Sequence, residues 1–346
     1  MVNGGSGPPG ERRSRPAGIK AVAARAGVSV GTVSNVLNRP TQVSESTRAR
    51  VLAAIDELGF VRHSSASQLR AGRSHTVGLV VLDIGNPFFT DLARGLEAEA
   101  AEHALSVLLF SSDGSAERQR RQLRFLEEQR VEGVLITPVG DEGSDLVRLQ
   151  DRGTRVVMVD AVGAGRHCSV RVDDNLGGSL AGSHLIHAGR RRITYVTASY
   201  AVRQCRDRGT GLTAAIASSG ARAPRQVEVP TLTGSAGYEA TARVLAQRPD
   251  AVFCANDIVA LGLLRGLLEA GARVPDDIAL VGYDDIEFAA TAAVPLSSVR
   301  QPAGQLGRTA AALLVGEFAD GGSHVHEDVV FSPELVTRAS SGGVMA

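Results

Sequence analysis

Apolar residues near the start of the chain follow a helical beat. Ile19, Val22, Ala23 and Ala26 fall at i, i+3, i+4 and i+7, the spacing that gives a helix one buried face. Gly27 is then expected to stop that helix, because glycine enters a left-handed turn at little steric cost. Ser29 follows as a candidate N-cap, its hydroxyl placed to accept from a free backbone N–H. The helix it opens is expected to bury Val33, Val36 and Leu37 and to turn Val30, Gly31, Thr32, Ser34 and Asn35 elsewhere. A third helix is expected from about Ser44, capped by Ser44 or Thr47, with Val51, Ile55 and Leu58 as its buried stripe and Gly59 as its stop.

From His75 the period changes. Short runs rich in Val, Ile and Leu alternate with helical stretches. Strands are predicted at Val77–Leu82, Ser106–Phe110, Gly133–Thr137, Arg155–Val159, Ile193–Thr197, Val227–Val229, Ala251–Ala255 and Ile278–Gly282. Helices are predicted between and after them at Phe88–Glu102, Ala116–Glu128, Leu176–His187, Tyr238–Ala246, Ile258–Ala270 and Gln305–Glu317. Repeated βαβ units imply parallel sheets covered on both faces, and the strands are too many for one small sheet, so two α/β lobes are expected. Ligands of such sheets bind beyond the carboxyl ends of the strands. Those ends carry Asp83–Phe89, Ser111–Asp113, Thr137–Gly140, Asp160, Ser199–Arg206, Asn256–Asp257 and Tyr283–Asp285, a polar and charged set. The chain thus divides into a leader (1–17), a three-helix unit (18–61), a polar basic hinge segment (62–75) and a two-lobed core (76–346).

Helix, glycine turn and capped helix form the helix-turn-helix pattern, whose second helix enters the DNA major groove. Charge agrees with it. The chain is formally neutral, yet residues 1–75 hold eleven basic and four acidic side chains, a balance of +7, and the remainder carries −7. A basic head on an acidic body suits a phosphate-binding module joined to something that should not bind phosphate. The longest apolar runs, such as Val77–Leu82, are far short of the roughly 20 residues that span a bilayer. The Gly-, Pro- and Arg-rich start has no apolar core of a secretion signal, so a cytoplasmic location without membrane contact is expected. Cys168, Cys205 and Cys254 have no paired spacing, and no cofactor is expected. No phosphate loop of the GxxxxGK[ST] type and no GxSxG elbow appears, and Gly209-Thr210-Gly211 follows an Arg-rich stretch where a strand would be needed. His324-Val325-His326 reads as a solvated loop, so no metal site is expected and the chain is read as a non-enzyme.

The order and spacing of several segments resemble the LacI-type repressor family. They are Ala26-Gly27-Val28-Ser29 through Thr32-Val33-Ser34, Val36-Leu37-Asn38, Val43-Ser44 with Thr47-Arg48, Asn86-Pro87-Phe88-Phe89, Gly189-Arg190-Arg191-Arg192-Ile193, Ala255-Asn256-Asp257 and Val281-Gly282-Tyr283-Asp284-Asp285. The likeness runs from about Ile19 to about Leu335. It implies a helix-turn-helix domain ahead of a core similar to periplasmic sugar-binding proteins. It further implies a repressor that binds a duplex DNA operator as a homodimer or tetramer under a small-molecule effector, a sugar ahead of a nucleobase or phosphorylated metabolite. The rival reading is a solute-binding protein without DNA binding.

By that resemblance Val30, Gly31 and Asn35 stand where base edges are read, and Ser29, Thr32, Asn38, Ser44 and Thr47 where phosphates are gripped. Leu69 matches a minor-groove wedge with Arg70 as its basic neighbour. Arg206 followed by Gly209 resembles the family's Arg-x-x-Gly pocket signature, with Thr210 where an aromatic is usual. Phe88, Phe89, Asp174, Asn256, Asp284 and Gln301 match the other effector positions. The family's usual acidic residue in the first helix is replaced by Ala21.

Overall fold

Gly27 and Gly59, at φ of 65° and 55°, end the first and third of three helices: α1 (Ile19–Ala26), α2 (Val30–Asn38) and α3 (Glu45–Leu58). The computed structural model describes residues 18–60, 74–140, 143–320 and 324–342, and the chain divides into two units, Met1–Gly72 and Arg73–Ala346. In the first unit the Ser29 hydroxyl accepts from the Thr32 N–H at 3.0 Å, as a cap should. Ser44 occupies the N-cap position of α3, but its hydroxyl donates to Thr47 Oγ1 at 3.0 Å and makes no capping bond to backbone. Val22, Ala23, Ala26, Val33, Val36, Val51 and Ala54 are the core, and Ile19, Leu37, Ile55 and Leu58 pack around it half-exposed. The expected leader (1–17) and most of the hinge (62–75), Leu69 and Arg70 included, lie outside the described residues.

The second unit holds two six-stranded sheets. The first lobe is built on β1 (Thr76–Val81), β2 (Ser106–Ser111), β3 (Gly133–Ile136), β4 (Arg155–Val159), β5 (Cys168–Val172) and β11 (Asp328–Phe331), in the order β11-β5-β4-β3-β1-β2 and all parallel. The second is built on β6 (Ile193–Thr197), β7 (Arg225–Glu228), β8 (Ala251–Cys254), β9 (Ala279–Asp284), β10 (Ser297–Arg300) and β12 (Glu334–Val336), in the order β12-β10-β9-β8-β6-β7, with β12 alone antiparallel. The central strands, such as β1, β8 and β9, read as continuous buried runs because helices cover both faces. On the first lobe one face is packed by α4 (Pro87–Glu102) and by α13 (Ala303–Asp320), which returns from the second lobe.

Eight strands fall where the Val/Ile/Leu runs predict them, within a few residues at either end. The hydrophobic pattern does not announce β5, β10, β11 and β12. They are short and carry polar residues, as in Ser297-Ser298-Val299-Arg300, and all four flank a passage of the chain between lobes. Two stretches correct the sequence reading. Arg203–Ser218 is a helix, α8, where the Arg-rich run suggests a strand end and a loop. Tyr238–Ala246 is the meeting of two short helices, α9 (Gly234–Glu239) and α10 (Thr241–Ala246).

Candidate DNA-reading surface and effector cleft

On α2 the residues at i, i+1, i+4, i+5 and i+8 from Val30 are Val30, Gly31, Ser34, Asn35 and Asn38, one outward stripe opposite buried Val33 and Val36. Val30 is 41% exposed. Asn35 is exposed, and the Asn38 amide donates to the Ser34 carbonyl at 2.8 Å. The hydroxyls of Ser29 and Thr32 share a bond of 2.9 Å, and those of Ser44 and Thr47 one of 3.0 Å, so four of the five phosphate-matching residues stand in two pairs. The same unit carries Lys20, Arg25, Arg39, Arg48 and Arg50, with Arg25 held by Glu57 at 2.5 Å.

In the second unit, polar side chains gather beyond the carboxyl ends of the strands. Asp284 ends β9, Gln301 follows β10, Asp160 follows β4, and Asp174 opens α7 (Asp174–His187) directly after β5. Asn86 caps α4, its Oδ1 accepting from the Phe88 N–H at 3.1 Å. Arg208 lies on α8, 4% exposed. Its Nε donates to Asp174 at 2.8 Å, its Nη1 to the Ala255 carbonyl at 2.5 Å, and the guanidinium lies 3.6 Å from the Tyr283 ring centre. Asp284 accepts from Asn86 at 2.9 Å and from Gln301 at 2.7 Å. Across the cleft Arg203 reaches Asp160 and Asp174, each at 3.3 Å, and Gln204 donates to the Asp160 side chain at 2.8 Å. Asp160 and Asp284 both hold positive φ, 51° and 109°, a backbone state that non-glycine residues keep only when their surroundings impose it.

The meeting of Asp174 with Arg208 depends on glycine. A Cβ on Gly178 of α7 would lie 2.0 Å from the Arg208 carbonyl, and one on Gly211 of α8 would lie 1.9 Å from the Asn175 carbonyl. The two helices touch backbone to backbone, and only missing side chains permit it. Burial pushes the Asp284 carboxyl up to about 6 although Arg208 and the Asn86 and Gln301 amides oppose the rise. Burial and then the Asp174 carboxylate push Asp160 likewise to about 6, against the pull of Arg203 and Arg208. The cleft therefore holds charge that the fold does not favour, a mark of a functional site.

Of the effector positions expected from the sequence, Asp174, Asp284 and Gln301 meet in this cleft. Phe88 and Phe89 pack into the first-lobe core, 3% and 7% exposed, edge to face at 5.0 Å. Asn256 caps α11 (Asp257–Glu269), its Oδ1 accepting from the Val259 N–H at 2.9 Å. Arg206 is half-exposed on the outer side of α8 and meets the neighbouring Asp207 at 3.4 Å. The sequence contains two overlapping Arg-x-x-Gly frames, Arg206 to Gly209 and Arg208 to Gly211, and the structure turns the second one inward. Leu212 after the second frame is buried, whereas Thr210 after the first is exposed, so helical periodicity distinguishes them. Arg203, Gln204, Asp160 and Asn86 also belong to the cleft; the sequence puts all four at strand carboxyl ends without singling any of them out.

A helix-turn-helix unit and a two-lobed core with a polar cleft define a ligand-responsive DNA-binding regulator. Residues 18–63 match the bacterial regulatory proteins of the lacI family, and residues 183–341 match the periplasmic binding protein-like domain. The chain is 35% identical over 330 residues to the HTH-type transcriptional repressor PurR of Photobacterium profundum, covering 93% of this chain and 98% of that protein. It is also 35% identical over 305 residues to the ribose operon repressor of Escherichia coli (strain K12), covering 86% of this chain and 92% of the other. Its structure aligns with that of the lac repressor dimer bound to operator and the anti-inducer ONPF at a TM-score of 0.81 and 26% identity, covering 94% of this chain and 99% of that one. The chain belongs to the LacI family of bacterial transcriptional regulators. These relatives are repressors, and no helix among the described residues is long and apolar enough to cross a membrane.

Proposed function

We propose that this chain represses transcription as a cytoplasmic homodimer without catalytic activity, and that a neutral polyhydroxylated molecule, a sugar, tunes its operator affinity from the cleft. The observation that carries the effector class is the charge of the cleft. Asp160, Asp174 and Asp284 outnumber Arg203 and Arg208, and both guanidiniums are already engaged by carboxylates. A phosphorylated metabolite would meet a net negative wall; hydroxyls donate to carboxylates and accept from amides at no such cost. Phe88 and Phe89 are packed into the core and offer no face to a nucleobase. Asp284, Asp174, Asn86, Gln301 and Arg208 are the residues proposed to hold the sugar, with Asn256 fixing the loop beside them.

On the DNA side, Val30, Gly31 and Asn35 would read base edges while Ser29, Thr32, Ser34, Asn38, Ser44 and Thr47 set register on phosphates. The segment 62–75 would serve as the hinge, with Leu69 inserted between base steps and Arg70 beside it. A sugar shifts this equilibrium only by binding the two lobe arrangements unequally. Fluorescence anisotropy with duplexes from the gene's own promoter region, at low and high salt, tests the DNA half. Salt-sensitive affinity is expected, and its absence with and without sugars overturns the proposal. A thermal-shift panel of pentoses, hexoses, purines and sugar phosphates tests the effector half. A neutral sugar should raise the melting temperature, and a rise with purines or phosphates alone would refute the sugar assignment.

A further inference from the structure

The cleft uses the carboxyl ends of the strands; a second cluster lies at the opposite ends. Cys168 opens β5, His324 and His326 precede β11, and Glu317 sits near the end of α13. Cys168 Sγ lies 3.1 Å from His324 Nε2 and 3.7 Å from His326 Nδ1, and His326 Nδ1 lies 3.6 Å from Glu317 Oε1. All four donor atoms fall within 4.8 Å of one another. Around an ion with ligand bonds of the length found at zinc, tetrahedral donors stand roughly 3.3–3.6 Å apart. The histidines face one way because the segment is extended, so that His324 and His326 share a side while Val325 between them is 80% exposed.

Burial sharpens the point. Cys168 is fully buried and Glu317 is 3% exposed. Among the described residues Glu317 Oε1 has no hydrogen-bond partner, and its ion-pair neighbour within reach is His326. An ion shared with the thiol and the two imidazoles would give that buried, unpartnered oxygen a partner. The Glu327 backbone N–H points at Cys168 Sγ from 3.5 Å, the kind of outer contact that steadies a metal-bound thiolate. A cavity of about 110 Å³, lined by Gln150, Arg155, Glu317, His324 and His326, opens beside the cluster and supplies a route of entry.

We propose that Cys168, Glu317, His324 and His326 form a site for one divalent transition-metal ion, with zinc the best match to a sulfur, two-nitrogen, one-oxygen set. Four protein donors make the site a structural one. The ion ties β11 and the last turns of α13 to β5, the strand that runs directly into Asp174 of the effector cleft.

The test uses the untagged full-length chain, stripped with a chelator and titrated with Zn²⁺ and Co²⁺. One equivalent is expected to bind, with thiolate-to-cobalt charge-transfer absorption and the intense visible bands of a tetrahedral Co²⁺ ion. Cys168→Ala should remove the charge-transfer band. His326→Ala should weaken Zn²⁺ affinity by more than about 100-fold, beyond the 10–100-fold of an outer-shell change. Zn²⁺ should raise the melting temperature of the parent chain and leave that of His326→Ala unmoved. Failure to bind either ion overturns the proposal, as does binding that both substitutions leave intact. Should Cys168→Ala not fold, half-buried His326 decides the matter alone.

Discussion

The proposed DNA-reading surface and the proposed effector cleft encode their sites in opposite ways. The reading stripe from Val30 to Asn38 lies on one helix of nine residues, fixed by a cap at Ser29 and a glycine at Gly27. The cleft takes its members from positions as far apart as Asn86 and Gln301, each delivered by a different strand or helix end. A contiguous site fails locally when damaged, and a dispersed one fails through the fold that assembles it.

Arg208→Ala should give the largest effect. It leaves buried Asp174 without its main partner, a loss of about 3–5 kcal/mol of stability, and it should abolish the effector response; Arg206→Ala should stay within about 0.5 kcal/mol with the response intact. Chemical denaturation of both variants, with and without effector, checks this, and equal behaviour would erase the distinction between the two Arg-x-x-Gly frames. Next comes Gly211→Ala, which touches no ligand yet drives a methyl group into the Asn175 carbonyl. A loss of roughly 1–3 kcal/mol with weakened effector binding is expected, while operator affinity without effector should hold; unfolding and anisotropy on one sample read both.

In the reading unit Asn35→Ala should cost about 1–3 kcal/mol of discrimination at one base pair without moving the melting temperature. Binding to operators substituted one pair at a time would show whether the loss is confined in that way. The smallest effect concerns pH. Asp284 and Asp160 hold protons up to about pH 6 in the folded chain, against 3.8 for an ordinary aspartate. The folded state thus binds more protons between these values, so the contribution of these two groups to stability falls as pH rises through that window and levels off above it. A ligand whose hydroxyls donate to the charged Asp284 should lose up to about tenfold in affinity per pH unit below 6. Calorimetric titration at pH 5 and pH 7 measures it, and a flat profile would separate Asp284 from ligand binding.

The same contrast governs what the sequence makes legible. Gly27, Ser29 and the Val22–Val33–Val51 core follow from periodicity and turn chemistry alone, because each signal lies within a few residues of what it controls. The α/β core is equally plain where Val, Ile and Leu run together. Beyond that, reading fails where a residue's role depends on a partner far along the chain. Nothing near Asp160 says that Gln204 will meet it, and nothing near Cys168 announces His324. The cores also hide behind one another: Phe88 and Phe89 are as apt for stacking on a ligand as for filling a lobe, and packing chose the second.

Because α13 and β11 complete the lobe that β1 began, residues translated first must wait for residues translated last. Until Phe331 has left the ribosome, the early lobe lacks an edge strand and the helix that covers α4, and its apolar face stays open to chaperones and to aggregation. A frameshift or stop codon near the end of the gene would therefore injure a domain encoded near its beginning. The three-helix head would meanwhile be translated whole, a reader parted from its sensor.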